Sequence, residues 1–256
     1  MLKALPDAAQ VLVAGASRGI GLGFVRGLLA QPQVARVFAA CRDPQSAAAL
    51  QTLVDEHGER LSLLTIDVCD ENAIAAAAQA TRLLTPRLHL LINTIGLLHD
   101  VQGLKPERKL ADVNLADLQR SFTVNAFAPI LIAKHFASLL IHDQRAVFAS
   151  LSARVGSIGD NRLGGWYGYR AGKAAQNQFV RTLAVEMVRR APNLICALLH
   201  PGTVDTDLSK PFQSAVAPEK LFSVDRACEQ LLLVIDGLQR EHSGSFFGWD
   251  GAVIPW

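Results

Sequence analysis

The sequence of 256 residues is short of several things, and each shortage removes a class of function. It holds four cysteines, at positions 41, 69, 196 and 228, with no CxxC pair and no histidine at ligand spacing. These read as reduced thiols, and no disulfide frame or zinc site is expected. Charged residues make up 19% of the chain against a usual level of roughly 25%, and the net charge is +2. No Lys/Arg block is present, so nucleic acid is not an expected partner. No contiguous apolar run approaches the roughly 18–20 residues of a membrane helix; 194–199 and 231–235 are far shorter. The first ten residues carry one Lys and then Pro6-Asp7, and Gly, Ser and Arg interrupt the apolar stretch that follows, which does not fit a signal peptide. Internal repeats and low-complexity linkers are also missing. The expectation is a cytoplasmic protein with no metal, no nucleic-acid partner and no membrane association.

What the chain does have is apolar material: 50% of its residues are hydrophobic. That is enough for one large core, and the length suits a single domain over 1–256. Short apolar runs alternate with longer amphipathic ones. The pattern predicts strands at 10–14, 36–41, 61–67, 89–93, 146–150, 194–199 and 245–249. Helices are predicted at 19–30, 44–57, 71–84, 115–140, 169–190 and 225–238, the Ala-rich 73–80 included because alanine is the best helix former. Strands that are apolar throughout are covered on both faces. Repeated βα units with right-handed crossovers then give an α/β, doubly wound parallel sheet of about seven strands. Ligands of such sheets sit beyond the carboxyl ends of the strands, so the residues just after each strand matter most.

After the first strand comes Gly15-Ala16-Ser17-Arg18-Gly19-Ile20-Gly21, followed by a helix. Small residues allow a sharp turn and let a pyrophosphate approach the helix N-terminus, where free N–H groups and the helix dipole favour anions. The spacing is GxxxGxG, not the commoner GxGxxG. Arg18 lies inside this turn, and Arg42 follows the second strand, where the adenosine ribose of a dinucleotide belongs. An arginine there suits a 2′-phosphate, so NADP(H) is preferred. Asp43, one residue late for a ribose hydroxyl, keeps NAD(H) open.

Tyr169-Arg170-Ala171-Gly172-Lys173 opens a long helix, and residues four apart share a face. Hydride transfer to or from a carbonyl carbon needs a proton donor or acceptor at the oxygen. A free tyrosine, with a pKa of about 10, is a poor base near neutrality. A fixed cation one turn away is expected to lower that value by favouring phenolate. Tyr167 has Ala171 in the corresponding position and no cation partner; it reads as part of a wall with Trp166. Pro129 lies four residues after Asn125 and offers no N–H to the Asn125 carbonyl. A local kink and a carbonyl free to anchor water are expected there.

These residues resemble the short-chain dehydrogenase/reductase family, and more narrowly its carbonyl-reductase-like branch near the C-factor proteins. The matching motifs run nearly the full length: the glycine turn, Asp67-Val68, Asn93-Thr94-Ile95-Gly96, Asn125, Tyr169 with Lys173, and Pro201-Gly202. The resemblance implies a Rossmann fold and an NAD(P)-dependent oxidoreductase interconverting a small-molecule carbonyl and its alcohol. It implies Tyr169 as acid/base, and Lys173 as the group that holds the nicotinamide ribose and tunes the tyrosine. Asn125 would hold a proton-relaying water. Gly15, Ser17, Arg18, Gly19, Ile20 and Gly21 would hold the pyrophosphate end, with Arg42 beside the adenosine. Asp67 and Val68 would flank the adenine, Asn93 and Gly96 support the cofactor, and Pro201, Gly202, Val204 and Thr206 hold the nicotinamide end. A homodimer or homotetramer is also implied.

The serine motif departs from the family pattern. The usual Ser-Ser-x-x-Gly is Leu151-Ser152-Ala153-Arg154-Val155-Gly156-Ser157 here, so an ungapped match places Ala153 at the substrate-polarising position. Ser152 is taken as the catalytic serine and Ser157 as the alternative. Asn93-Thr94-Ile95-Gly96 replaces Asn-Asn-Ala-Gly, which keeps a hydroxyl and adds bulk. The stretch 207–223, with two prolines and little periodicity, suits a substrate lid. Phe127, Leu97, Leu98 and Trp166 suit an apolar pocket. Two other readings stay open: a dinucleotide-binding sensor of the C-factor type without turnover, and an NAD-dependent alcohol or hydroxysteroid dehydrogenase.

Overall fold

The computed structural model describes residues 2–256. Seven parallel strands form one sheet, in the order β3-β2-β1-β4-β5-β6-β9. They are β1 (Ala9–Ala14), β2 (Val34–Cys41), β3 (Leu61–Thr65), β4 (Leu90–Asn93), β5 (Ala146–Leu151), β6 (Leu194–His200) and β9 (Phe246–Gly248). All seven expected strands are present, with ends shifted by one or two residues. The chain runs outward from β1 to β3, returns to β4 beside β1, and continues the other way. The switch point between β1 and β4 is therefore where a ligand crevice opens.

Helices cover both faces. These are α1 (Gly19–Leu29), α2 (Ala48–His57), α3 (Glu71–Leu84), α4 (Leu115–Phe122), α5 (Ala128–Leu140), α6 (Tyr167–Arg190) and α7 (Val224–Gly237). Successive strand side chains point to opposite faces. Val11 and Val13 join a core with Phe24 of α1, Leu50 of α2 and Leu231 of α7. Leu12 and Ala14 join a second core with Ile74 of α3, Phe136 of α5 and Val180 of α6. Burial on both sides is the physical reason these strands are apolar throughout.

Helix α2 begins at Ala48, later than expected, because Asp43 and Ser46 close a turn after Pro44: the Ser46 N–H donates to Asp43 Oδ1 at 3.1 Å. Between α4 and α5 the chain does not break. Thr123–Phe127 forms a π-helical turn, in which the Ala128 N–H donates to the Thr123 carbonyl, so the proline is absorbed as a widened turn.

That continuity corrects one expectation. The stretch Leu115–Leu140, 26 residues, is long and apolar enough by length and composition to cross a membrane. Polar residues such as Arg120, Asn125 and Lys134 break its contiguous runs, which is why no such run is visible in the sequence. Half of its most apolar window is buried inside this fold, as in a core helix.

The segment after β6 carries a second, two-stranded parallel pairing, β7 (Thr203–Val204) with β8 (Leu221–Phe222). The Asp205 N–H donates to the Phe222 carbonyl at 2.8 Å. The excursion between them, which includes short 3₁₀ turns at Lys210–Ala215 and Pro218–Lys220, is thus clipped at its base.

Candidate active site

At the tip of β1 the glycine turn has almost no clearance. A Cβ on Gly21 would lie 2.0 Å from the Gly15 carbonyl oxygen, and one on Gly15 would lie 2.6 Å from Thr94 Oγ1. Thr94 closes the turn from β4, donating its hydroxyl to the Ala14 carbonyl at 2.8 Å. The hydroxyl that Thr94 keeps in place of the family's asparagine amide thus fastens β4 to the glycine turn, with the Gly15 carbonyl also within 3.2 Å.

Helix α1 then starts at Gly19 without a side-chain cap and without an acidic residue in its first turn. By contrast Asp70, Asn114 and Ser223 cap α3, α4 and α7. Free N–H groups with a cradle too tight for any side chain fit the pyrophosphate of a dinucleotide. Ser17 and Ile20 are half-buried in the same turn.

Arg18 and Arg42 are both exposed, as a 2′-phosphate would require. Arg18 also pairs with Asp207 at 3.1 Å. Asp43 is turned onto Ser46, whose hydroxyl and N–H hold its carboxyl below the usual carboxylate range. Asp67 is exposed, its Oδ1 accepting from the Cys69 N–H at 2.9 Å, and Val68 is buried beside it.

A buried polar network links the tips of β4 and β5 to α6. Asn93 Nδ2 donates to Ser150 Oγ at 2.9 Å, and Gln176 Nε2 donates to the same oxygen at 2.7 Å. Lys173, 2% exposed, donates Nζ to the Leu151 carbonyl at 3.0 Å and to Gln176 Oε1 at 2.9 Å. Burial pulls its pKa down to about 7. Gln176 was missed in the sequence, although its place three residues after Lys173 puts it on the same helix face.

Tyr169 is half-buried, with its ring centroid 5.8 Å from Lys173 Nζ. Its pKa moves opposite to expectation: burial pushes the phenol up. The Lys173 ammonium spends its hydrogen bonds on Leu151 and Gln176, and desolvation penalises phenolate.

Asn125 is fully buried. Its Oδ1 accepts from the Leu97 N–H at 2.9 Å, while Nδ2 donates to the Leu97 carbonyl at 2.7 Å and to Ser121 Oγ at 3.1 Å. It therefore pins the segment after β4 to α4. A Cβ on Gly96 would lie 3.6 Å from both Asn125 Oδ1 and Lys173 Nζ, so these three positions border one space. Helix α6 reaches this place because Gly168 and Gly172 let it approach α4 closely; a Cβ on Gly172 would lie 3.2 Å from Asn125 Cβ.

Ser152, taken as the catalytic serine, is held by Asn177 of α6. Its hydroxyl donates to Asn177 Oδ1 at 2.6 Å, and the residue is buried. Ser157 is buried too, its Oγ accepting from the Asp160 N–H at 3.2 Å. Strand β5 runs one residue beyond its expected end, to Leu151, so Ser152 is the first residue after the strand.

Past β6, Gly202 takes φ +78° where a Cβ would meet the Phe222 ring at 2.7 Å. Pro201 and Gly202 thus lead into β7, where Val204 is buried, and Thr206 reaches the glycine turn: its Cγ2 is 3.3 Å from where a Gly19 Cβ would stand. The carboxyl-terminal edge of the sheet accordingly gathers the glycine turn, Asn93, Gly96, Tyr169, Lys173 and Thr206 around one cleft. Among the described residues no cluster of His, Cys, Asp or Glu is arranged to hold a metal.

Residues 9–217 match the family model for short chain dehydrogenases. This chain belongs to that family. It is 37% identical over 179 residues to the C-signal of Myxococcus xanthus, covering 70% of this chain and 99% of the relative. The NADPH-bound carbonyl reductase from chicken fatty liver is similar at a TM-score of 0.86 and 33% identity, covering 98% of this chain and 100% of that one. Carbonyl reductase Sniffer of D. melanogaster follows at a TM-score of 0.85 and 27% identity, covering 98% and 100%. As a short-chain dehydrogenase/reductase the chain is an NAD(P)-dependent oxidoreductase, with the Rossmann-like sheet and helix layers of its family.

Two further residues had no signal in the sequence. Glu107, from the segment after β4, is buried and accepts the Gly168 N–H through both carboxylate oxygens, at 3.2 and 3.1 Å. It caps this short-chain dehydrogenase's tyrosine-bearing helix from outside it. Phe212, in the excursion after β7, lies 4.9 Å from Trp166, ring centroid to centroid.

Proposed function

We propose that this oxidoreductase reduces an aldehyde or ketone to its alcohol at the expense of NADPH, or runs the reverse. The observation that carries the reading is Tyr169 set one helical turn from a buried Lys173, beside Gly96 and Asn125 in the same cleft. When bound in this cleft the cofactor would supply the hydride for the carbonyl carbon, and ketone, NADPH and one proton would become alcohol and NADP⁺. Tyr169 donates the proton to the oxygen. Burial keeps the phenol protonated at neutral pH, the form a proton donor needs. Lys173, brought to about 7, exchanges protons near neutrality and resupplies the phenol. The Asn125 carbonyl, which receives no i+4 donor from Pro129, holds the water of that relay. With both serines committed inside the fold, Tyr169 polarises the substrate oxygen by itself.

NADPH is favoured over NADH because Arg18 and Arg42 flank the adenosine end, while Asp43 is occupied by Ser46. An NADPH-oxidation assay over aldehydes, ketones and quinones tests the reading. Turnover is expected in the wild type, with loss of about 10³-fold or more in Tyr169→Phe and NADPH binding retained. Unchanged turnover in that variant refutes the mechanism. Arg42→Asp is expected to lower the preference for NADPH over NADH by tenfold or more, about 1.4 kcal/mol; no change in preference favours the NAD-dependent reading.

A second reading has one observation in its favour: the buried Ser152 hydroxyl donates to Asn177 and is engaged inside the fold. In it the chain binds the dinucleotide as a sensor without significant turnover. NADPH binding with no oxidation across the whole panel is its signature.

A further inference from the structure

On α6, three residues after Lys173, stands an amide with no exposed surface: Gln176. Burying a primary amide costs free energy that an aliphatic side chain of similar length avoids, unless each polar atom finds a partner. Here each one does. Nε2 donates to Ser150 Oγ at 2.7 Å and to the Leu151 carbonyl at 3.1 Å, while Oε1 accepts from Lys173 Nζ at 2.9 Å. The amide cannot be turned over, because an ammonium only donates and would then meet the Nε2 protons. Asn93 of β4 donates to the same Ser150 oxygen at 2.9 Å, so the amide is anchored on two strands.

The bond to Lys173 fixes a direction as well as a distance. An ammonium has three N–H groups, and the Leu151 carbonyl and Gln176 Oε1 take two of them. The third is left for the space bordered by Gly96 and Asn125, where a Gly96 Cβ would lie 3.6 Å from Nζ. When Lys173 is neutral, its lone pair takes that third direction. Neighbouring elements bring no free charge to replace the amide. On α4, Asp117 and Arg120 pair with each other; Arg154, in the turn after β5, pairs with Asp160. Glu107 is held on the Gly168 N–H, and the buried His200 of β6 has a neutral ring at pH 7. Tyr169 is the titratable group beside Lys173.

We propose that Gln176 is a positioning residue for the proton relay: its amide fixes the Lys173 ammonium so that the one exchanging N–H faces the cleft. The inference rests on the reductase reading and deepens it. After Tyr169 has given its proton to the substrate oxygen, the phenolate recovers a proton from that N–H through the cleft. The neutral amine left behind takes its next proton from solvent water. A carboxylate in place of the amide would keep the ammonium charged well above neutrality, and an aliphatic side chain would let it lose its proton at lower pH.

The test follows the Lys173 signal by NMR through a pH titration, on the full chain with lysine labelled by carbon-13 at Cε. Lys173→Met assigns that signal. Gln176→Glu keeps an acceptor and adds a charge, whereas Gln176→Met removes the acceptor at similar length. The midpoint is expected to rise by about one pH unit or more in Gln176→Glu. In Gln176→Met it is expected to fall by about half a unit or more. The high-pH limb of kcat, for a ketone that the wild type reduces, is expected to move in the same two directions. A residue that only packed α6 onto β5 would lower stability in both variants and leave the midpoint in place, which overturns the proposal. Shifts in one common direction overturn it as well. Should one variant not fold, the sign of the shift in the other decides. Opposite shifts, with no NADPH oxidation by the wild type across the carbonyl panel, sink the reductase reading and leave the positioning of Lys173 standing. Turnover in the wild type with unmoved midpoints sinks the positioning role and leaves the reductase reading in place.

Discussion

The two ends of the cleft are built in different ways. The dinucleotide end is made of backbone: Gly15 and Gly21 pack against each other and against Thr94 with no room for one more carbon, at the tips of strands buried on both sides. The proposed substrate end is made of side chains on three loops, 94–114, 152–166 and 205–220, joined by contacts such as those of His99 with the Asp207 and Leu208 carbonyls and by edge-on rings. The first end can change little without losing its cradle. The second can change residue by residue, which is how one scaffold can take different substrates while keeping its cofactor.

The sharpest way to break this comparison is at the glycine turn. Gly21→Ala is expected to reduce NADPH affinity by about 100-fold or more and to destabilise the fold by about 1–3 kcal/mol, because its methyl group overlaps the Gly15 carbonyl. Isothermal titration and urea unfolding measure both. Retained affinity would mean that the turn has slack the geometry denies.

The middle of the scale lies at the cap on α6. Glu107→Ala removes the acceptor of the Gly168 N–H and is expected to cost about 1–2 kcal/mol in urea unfolding. NADPH affinity should stay within about twofold, since Glu107 belongs to the substrate end. A larger loss of cofactor binding would show that the two ends are coupled through α6.

The smallest effect concerns pH. His200, at the end of β6 beside Pro201, has its pKa pulled down to about 4, chiefly by burial and then by Arg154. The folded state therefore prefers the neutral ring. Stability from this group is complete above the unfolded value of about 6.5 and is lost as pH falls towards 4, the unfolded chain binding the proton first. His200→Gln should unfold with a flatter acid limb, by on the order of 1 kcal/mol, in thermal melts between these values.

Much of the cofactor end was legible because it depends on residues close in sequence. A glycine turn after an apolar strand, Tyr and Lys four apart on one helix, and strands apolar throughout are local patterns, and the fold places them as expected. The expected proline kink was also local, but its outcome as a π-helical turn depended on α4 and α5 packing as one helix. The serine could not be read in the same way. The Ser152 hydroxyl donates to Asn177, 25 residues further on, a contact that exists only because α6 packs beside the end of β5.

The sequence by itself therefore determined the parallel α/β sheet, the dinucleotide turn and the Tyr169–Lys173 pair, since periodicity and short spacings carry them. Only the tertiary structure decided the rest: the direction of the Tyr169 and Lys173 shifts, the capping of α6 by Glu107, and the meeting of Trp166, Phe212 and His99 beside Tyr169. Those depend on burial and on contacts between residues far apart in the chain, such as the 61 residues separating Glu107 from Gly168. The scarcity of charge in the chain is consistent with this division, because the groups that set the site's electrostatics act through desolvation in an apolar surround and not through a large net charge.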